Sequence, residues 1–281
     1  MVIPDAVLYD CVMTQDITPQ FTAAISALTY SKTQRVWSII VSMFGDLARV
    51  RGDQIGGPAM SRIIAPIGIK PEAIRVALHR LRGDGWLEST KQGRTSVYQL
   101  ATSGLAQSQQ ASLRIYARSQ PAPDGWHLYV HPPKPAQDRS TTEKIYRRHG
   151  YIPVGSGVFL GSASIAPAPA DTLEIFGDLK NIPPWLRMEL GPPSLMQAYV
   201  DLNAALDQVI SITSDAPTFT DFQIATLRTL IVHNWRRVLL NHVDLPDQFF
   251  PDGWRGSECQ GKVMLLLDRL QRPEITALCV D

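Results

Sequence analysis

Residues 60–100, MSRIIAPIGIKPEAIRVALHRLRGDGWLESTKQGRTSVYQL, read as a helix, a turn, a second helix and a β-hairpin, and this reading decides the fold. Within Pro71–Arg82, Ile74, Ala77, Leu78 and Leu81 recur at i, i+3, i+4 and i+7, so one stripe is predicted to be buried at helical period. The opposite side carries Glu72, Val76, His79 and Arg80, flanked by Arg75. Such a face suits either a nucleic-acid groove or plain solvent exposure. Lys70 stands at the cap position, where Ser, Asn or Asp would normally accept an amide hydrogen bond, and Pro71 fits the first helical position. A cation there opposes the positive end of the helix dipole, which an arriving phosphate would reverse.

The segment that follows weighs toward the groove. Trp86–Thr90 and Ser96–Leu100 are predicted strands joined by Lys91-Gln92-Gly93-Arg94-Thr95, with Gly93 supplying the positive φ that a hairpin tip needs. A basic tip directly behind a candidate recognition helix has the form of a wing that reaches a phosphate backbone. Charge supports it. Residues 31–100 hold eleven Lys and Arg against five acids, a net +6, whereas residues 121–281 hold fourteen against eighteen, a net −4. A basic segment on a mildly acidic body is an electrostatic footprint for nucleic acid.

Working outward, 281 residues give room for two or three domains. With 44% hydrophobic and 19% charged residues the chain is neither disordered nor fibrous. No stretch approaches the roughly 18 uninterrupted apolar residues of a membrane span. Acidic Asp5, Asp10 and Asp16 stand where a secretory signal would be basic, which predicts a cytoplasmic protein with no membrane association. Cys11, Cys259 and Cys279 are widely spaced without a CxxC or a near histidine, so neither a disulfide framework nor a zinc site is expected.

Residues 1–30 read as an apolar extension packed on the body. From a Ser31 cap, Val36, Ile39, Ile40 and Met43 predict the first helix. Leu47–Ile55 reads as a short extended piece, Ala59–Ala65 as a second helix, and Thr102–Arg118 as a helix leaving the hairpin. After a Pro-rich boundary at 119–125, a strand at Trp126–His131, a helix at Thr141–His149, then Gly150-Tyr151-Ile152-Pro153 and Val158-Phe159-Leu160 as a further strand, and a strand at Asp171–Phe176 form a small α+β layer. From Ser194 the chain turns helical, through Thr220–His242 to Glu258–Leu270.

These residues carry a resemblance. GIKPEAIRVALHRLRGDGWLESTKQGRTSVYQL resembles the start of the PaaX family of phenylacetic acid degradation repressors. Arg147-Arg148-His149-Gly150-Tyr151 followed by Gly157-Val158-Phe159-Leu160 resembles that family's middle domain, and HNWRRVLLNHVDLPDQFFPDGW its C-terminal helical region. The resemblance covers about residues 31–270. It implies an α+β multidomain protein: an N-terminal extension (1–30), a winged helix-turn-helix (31–100), a connecting helix (101–120), a ferredoxin-like middle domain (121–193) and a C-terminal helical domain (194–281). It further implies a homodimeric, non-enzymatic repressor of double-stranded operator DNA, released by an aryl-CoA thioester such as phenylacetyl-CoA or another acyl-CoA. Lys70-Pro71 departs from the small polar cap more usual in the family.

The candidate DNA-binding set is Lys70, Glu72, Arg75, Val76, His79 and Arg80 on the helix, with Lys91, Arg94 and Thr95 in the wing. No catalytic or metal-ligating set and no resident cofactor are expected. His127 and His131 share one strand face by period two, without a matching acid or thiol nearby. The alternative is a metal-dependent nuclease in the middle domain, but the first strand runs into His131-Pro132-Pro133 with no aspartate to hold a metal. Trp185, Trp235 and Trp254 suit either an acyl pocket or the core. Arg147, Arg148, Arg236 and Arg237 suit either CoA phosphates or ordinary ion pairs.

Overall fold

A computed structural model of the protein describes residues 18–30, 35–118, 125–133, 135–162, 171–214 and 218–278. The class is α+β, with two small antiparallel sheets among the helices. The described residues fall into two compact units. The first draws on 1–116, 201–236 and 258–281, the second on 117–200 and 237–257. Residues 201–236 and 258–281 contribute to the first unit, where Phe222, Ala225 and Leu278 enter the core begun by earlier parts of the chain.

In the first unit, helix α1 (Pro19–Leu28) buries Phe21, Ala24, Ala27 and Leu28, so the described end of the N-terminal extension is a packed helix. Its cap is Thr18, whose hydroxyl accepts from the Phe21 amide at 3.2 Å. Helix α2 (Val36–Leu47) follows; the expected Ser31 cap lies outside the described residues, and the helix is capped by Arg35 with no side-chain bond. Strand β1 (Ile55–Gly56), helix α3 (Gly57–Ile64), a 3₁₀ turn (Ala65–Ile67), helix α4 (Pro71–Gly83), strands β2 (Leu87–Gln92) and β3 (Thr95–Leu100), and helix α5 (Thr102–Ile115) complete the N-terminal run. β3 lies between β1 and β2, both antiparallel to it.

The core of this run joins Ile40, Phe44 and Leu47 of α2 to Ile63 and Ile64 of α3 and to Ile74, Leu78 and Leu81 of α4. The predicted α4 stripe is therefore the buried stripe. Gly104 sits where α5 meets the hairpin base, and a Cβ there would lie 2.2 Å from the Trp86 carbonyl oxygen. Only glycine allows that approach.

Helix α2 is buried well beyond the expected stripe: Val41, Ser42, Phe44 and Asp46 are buried as well as Ile39, Ile40 and Met43. Its second side meets α9 (Asp221–Leu239), which follows α7 (Pro184–Leu190) and α8 (Pro193–Ser214) in the chain. Arg228 of α9 grips Asp46 through Nε–Oδ2 and Nη2–Oδ1 bonds of 2.8 Å each, and both side chains are over nine-tenths buried. The Tyr116 hydroxyl donates to the same carboxylate at 2.9 Å. Burial, followed by the Asp46 charge, pushes the Tyr116 phenol well above its ordinary range. Arg228 also donates at 3.0 Å to the Leu267 carbonyl near the end of α10 (Gly256–Arg269). Asn234 donates to Leu28 O at 2.7 Å and Trp235 to Ile115 O at 3.0 Å, tying α9 to α1 and α5.

The second unit holds a four-stranded antiparallel sheet in the order β5-β6-β4-β7, built from β4 (Trp126–Val130), β5 (Ile152–Gly155), β6 (Val158–Gly161) and β7 (Leu173–Gly177). Helix α6 (Ala136–Arg148) connects β4 to β5. Strand alternation gives the sheet two apolar faces. Ile152, Leu160 and Leu128 pair across one face and join Leu186 of α7 and Phe249 in one core. Phe159 and Tyr129 pair across the other and pack with Tyr146 and Tyr151.

Candidate nucleic-acid interface

Lys70 takes an extended cap conformation, φ −71° and ψ 147°, with no side-chain cap bond, and it is exposed. The first-turn amides of α4 are thus left without a side-chain acceptor from the cap, beside a cation. On the face opposite the buried stripe, Glu72, Arg75, Val76 and His79 form one exposed strip at i, i+3, i+4 and i+7. Arg75 Nη1 lies 4.0 Å from the Glu72 carboxylate with both side chains largely in solvent, a contact worth little energetically. Arg80 is held more firmly. Its Nε lies 3.4 Å from Asp84 and its guanidinium stands 5.3 Å from the Trp37 ring centre.

The hairpin is longer and tighter than the sequence predicts. Lys91 pairs with Ser96 and Gln92 with Thr95, so three of the five residues expected in the tip, Lys91, Gln92 and Thr95, lie on the ladder, and Gly93-Arg94 alone makes the turn. Gly93 has φ +61°. Thr95 Oγ1 donates to Gln92 O at 3.0 Å and so braces the turn from within. Lys91, Arg94 and Thr95 are exposed. The hairpin is fixed to α4 by the Trp86 amide, which donates to Leu81 O at 2.8 Å, and by Leu87, which enters the same core as Leu81. Helix strip and basic hairpin therefore belong to one rigidly packed element pair.

Two further cations of the same unit are exposed. They are Arg62 on α3 and Arg82 at the end of α4, with Arg62 stacked 3.9 Å over Phe222. Both stand outside the apolar spacing of their helices, which is the signal that places them outward. The local charge is sharpened by burial, since Asp46 is withdrawn from solvent and bound to Arg228.

The other candidates separate. His127 Nδ1 lies 2.8 Å from Glu174, and His131 Nδ1 lies 3.2 Å from Thr172. Hydrogen bonds from Tyr129 and then His127 hold the Glu174 carboxyl below its ordinary range. Among the described residues no group of three or more His, Cys, Asp or Glu could hold a metal. Trp235 is in the core of the first unit. In the second, Trp254 stacks on Phe250 at 3.8 Å and Trp185 is largely exposed. Arg147 is bonded to Glu143 at 2.8 Å, Arg148 is exposed, and burial lowers the pKa of Arg236. A cleft of about 410 Å³ in the second unit is lined by His131, Pro133, Glu143 and Phe159 among others. No described helix is long and apolar enough to cross a membrane.

Comparison with known proteins meets this geometry. Residues 35–104 match the family described as PaaX-like protein, and residues 193–273 match the PaaX-like protein C-terminal domain. The chain is 26% identical over 257 residues to the transcriptional repressor PaaX of Escherichia coli (strain K12), across 83% of this chain and 78% of the relative. Among solved structures, the uncharacterized protein Rv0674 from Mycobacterium tuberculosis aligns with a TM-score of 0.48 at 16% identity, covering 83% of this chain and 96% of that one. The matched spans take in the exposed α4 strip, most of the core beneath it and the α9 and α10 helices that brace it, and the chain belongs to the PaaX-like protein family.

Proposed function

We propose that the protein is a cytoplasmic, DNA-binding transcriptional repressor of an aromatic-acid catabolic operon of the phenylacetate type. The observation that carries the reading is the exposed Glu72-Arg75-Val76-His79 strip, set opposite a fully buried stripe on α4 and followed by a hairpin with exposed Lys91 and Arg94. Residues 31–100 then act as a winged helix-turn-helix. α4 enters the major groove with the strip on base edges, while Lys70, Arg80, Lys91, Arg94 and Thr95 meet phosphates. A helix N-terminus beside Lys70 is suited to a phosphate oxygen. The kinship with a named transcriptional repressor supports the same reading.

The antiparallel order β5-β6-β4-β7, with α6 between the first two strands in sequence, supports a ferredoxin-like middle domain over 121–193, joined to the winged helix by the connecting segment 101–120 that contains α5, and followed by the helical region 194–281. The protein works as a homodimer on two half-sites spaced by whole turns of DNA. An acyl-CoA thioester, phenylacetyl-CoA first among them, releases it by binding the DNA-competent and DNA-incompetent states with different affinity. The test is a gel shift on the DNA upstream of the protein's own operon, repeated with phenylacetyl-CoA and other acyl-CoA thioesters. A shifted band that phenylacetyl-CoA dissolves is expected. Absence of any shift overturns the DNA-binding role, and a shift that no thioester relieves overturns the effector.

A further inference from the structure

We infer that Val76 reads a thymine through its 5-methyl group, an inference that rests on the DNA-binding reading above. Val76 is 70% exposed at the middle of the α4 strip, although it is an aliphatic, β-branched residue on a helix whose other large apolar residues, Ile74, Leu78 and Leu81, are all buried. Its helical neighbours on the exposed side are Glu72 and Arg80 at i−4 and i+4, with Arg75 and His79 alongside. Valine offers no hydrogen bond, so the contact it makes with a base edge is apolar. The surrounding residues narrow the partner. Arg75, Arg80 and exposed Lys70 favour a polyanion over an apolar protein patch.

In the major groove the thymine methyl is the apolar group that a base edge presents, and it distinguishes T·A from every other pair. Glu72 points the same way. A carboxylate is repelled by phosphate, so its end of the strip fits the groove floor, where a cytosine amino group is an acceptable donor, better than the backbone. The β-branch holds the two methyls of Val76 in few rotamers, which suits a fixed contact.

The test begins with duplexes selected from random sequence by the whole protein. In one selected duplex each thymine is replaced singly by deoxyuridine, which removes the 5-methyl and leaves pairing intact. With the native protein, one position per half-site is expected to lose about threefold to tenfold in affinity, the scale of one buried methyl group. In Val76→Ala, which sits on an exposed helix position and favours the helix, that sensitivity should vanish while the other positions behave as before. Two results overturn the inference: no thymine is sensitive, or the same thymine stays equally sensitive in Val76→Ala. If selection enriches no sequence at all, the DNA-binding reading itself falls and takes this inference with it.

Discussion

Asp46→Asn isolates the buried contact that joins α2 to α9. The substitution keeps the volume and one oxygen but removes the negative charge. It leaves the Arg228 guanidinium, 7% exposed, without its counter-charge. Breaking a buried pair in this way costs about 3–5 kcal/mol, against about 0–1 kcal/mol for an exposed one. A loss of about 3 kcal/mol is roughly a 150-fold change in the unfolding equilibrium, and a large share of the about 5–15 kcal/mol that a domain ordinarily possesses. With a urea slope near 2–3 kcal/mol/M, the midpoint of the transition should fall by roughly 1–2 M, followed by tryptophan fluorescence and far-ultraviolet circular dichroism.

The structure supplies its own control. Arg147 and Glu143 also meet at 2.8 Å, but with 49% and 42% of their side chains exposed, so Glu143→Gln should move the midpoint little. Equal shifts for Asp46→Asn and Glu143→Gln would refute the reasoning that burial, rather than distance, sets the strength of the Asp46 contact.

Arg75→Ala should weaken binding to the selected site by about 1–3 kcal/mol and relax preference at one base pair, seen by titrating matched and scrambled duplexes. Lys91→Ala and Arg94→Ala should each weaken all sequences alike and reduce the slope of log affinity against log salt by about one unit. Gly104→Ala would place a methyl 2.2 Å from Trp86 O and should lower the melting temperature by several degrees, read by calorimetry. Burial, then the neighbouring Tyr129 and Glu174, pushes the Tyr146 phenol up to about 12 from an ordinary 10. Because the folded state favours the neutral phenol, its contribution to stability is full below about pH 10 and is lost as pH climbs toward 12, so Tyr146→Phe should flatten the alkaline limb of a stability profile.

Periodicity made the α4 stripe legible, since Ile74, Ala77, Leu78 and Leu81 needed only local spacing to be placed. Strand alternation and the Gly93 turn did the same for the hairpin, although the ladder claimed Lys91, Gln92 and Thr95 because nothing local marks where pairing stops. Asp46 was not legible. An acid at the end of an apolar helix looks solvated, and its burial depends on Arg228, which lies 182 residues away along the chain. The same distance hid the division into two units: the pattern of α9 and α10 shows that they are helices with apolar faces but not which earlier segment those faces cover. For the candidate interface, residue types and exposure were readable, whereas the engagement of Arg80 with Asp84 and Trp37 required coordinates.

The grip of Arg228 on Asp46 also orders events in time. At a synthesis rate of about 5–20 residues per second, Asp46 emerges from the ribosome about 10–40 s before Arg228. Leu278, near the end of the chain, is buried in the same core as Phe44 and Ile74. Helices α2, α3 and α4 are therefore specified first and sealed last. While the nascent chain waits, an unneutralised carboxylate and an uncovered apolar surface stand open beside them. A chain stopped before Phe222 would lack Phe222, Ala225 and Leu278, and with them part of the core beneath α4.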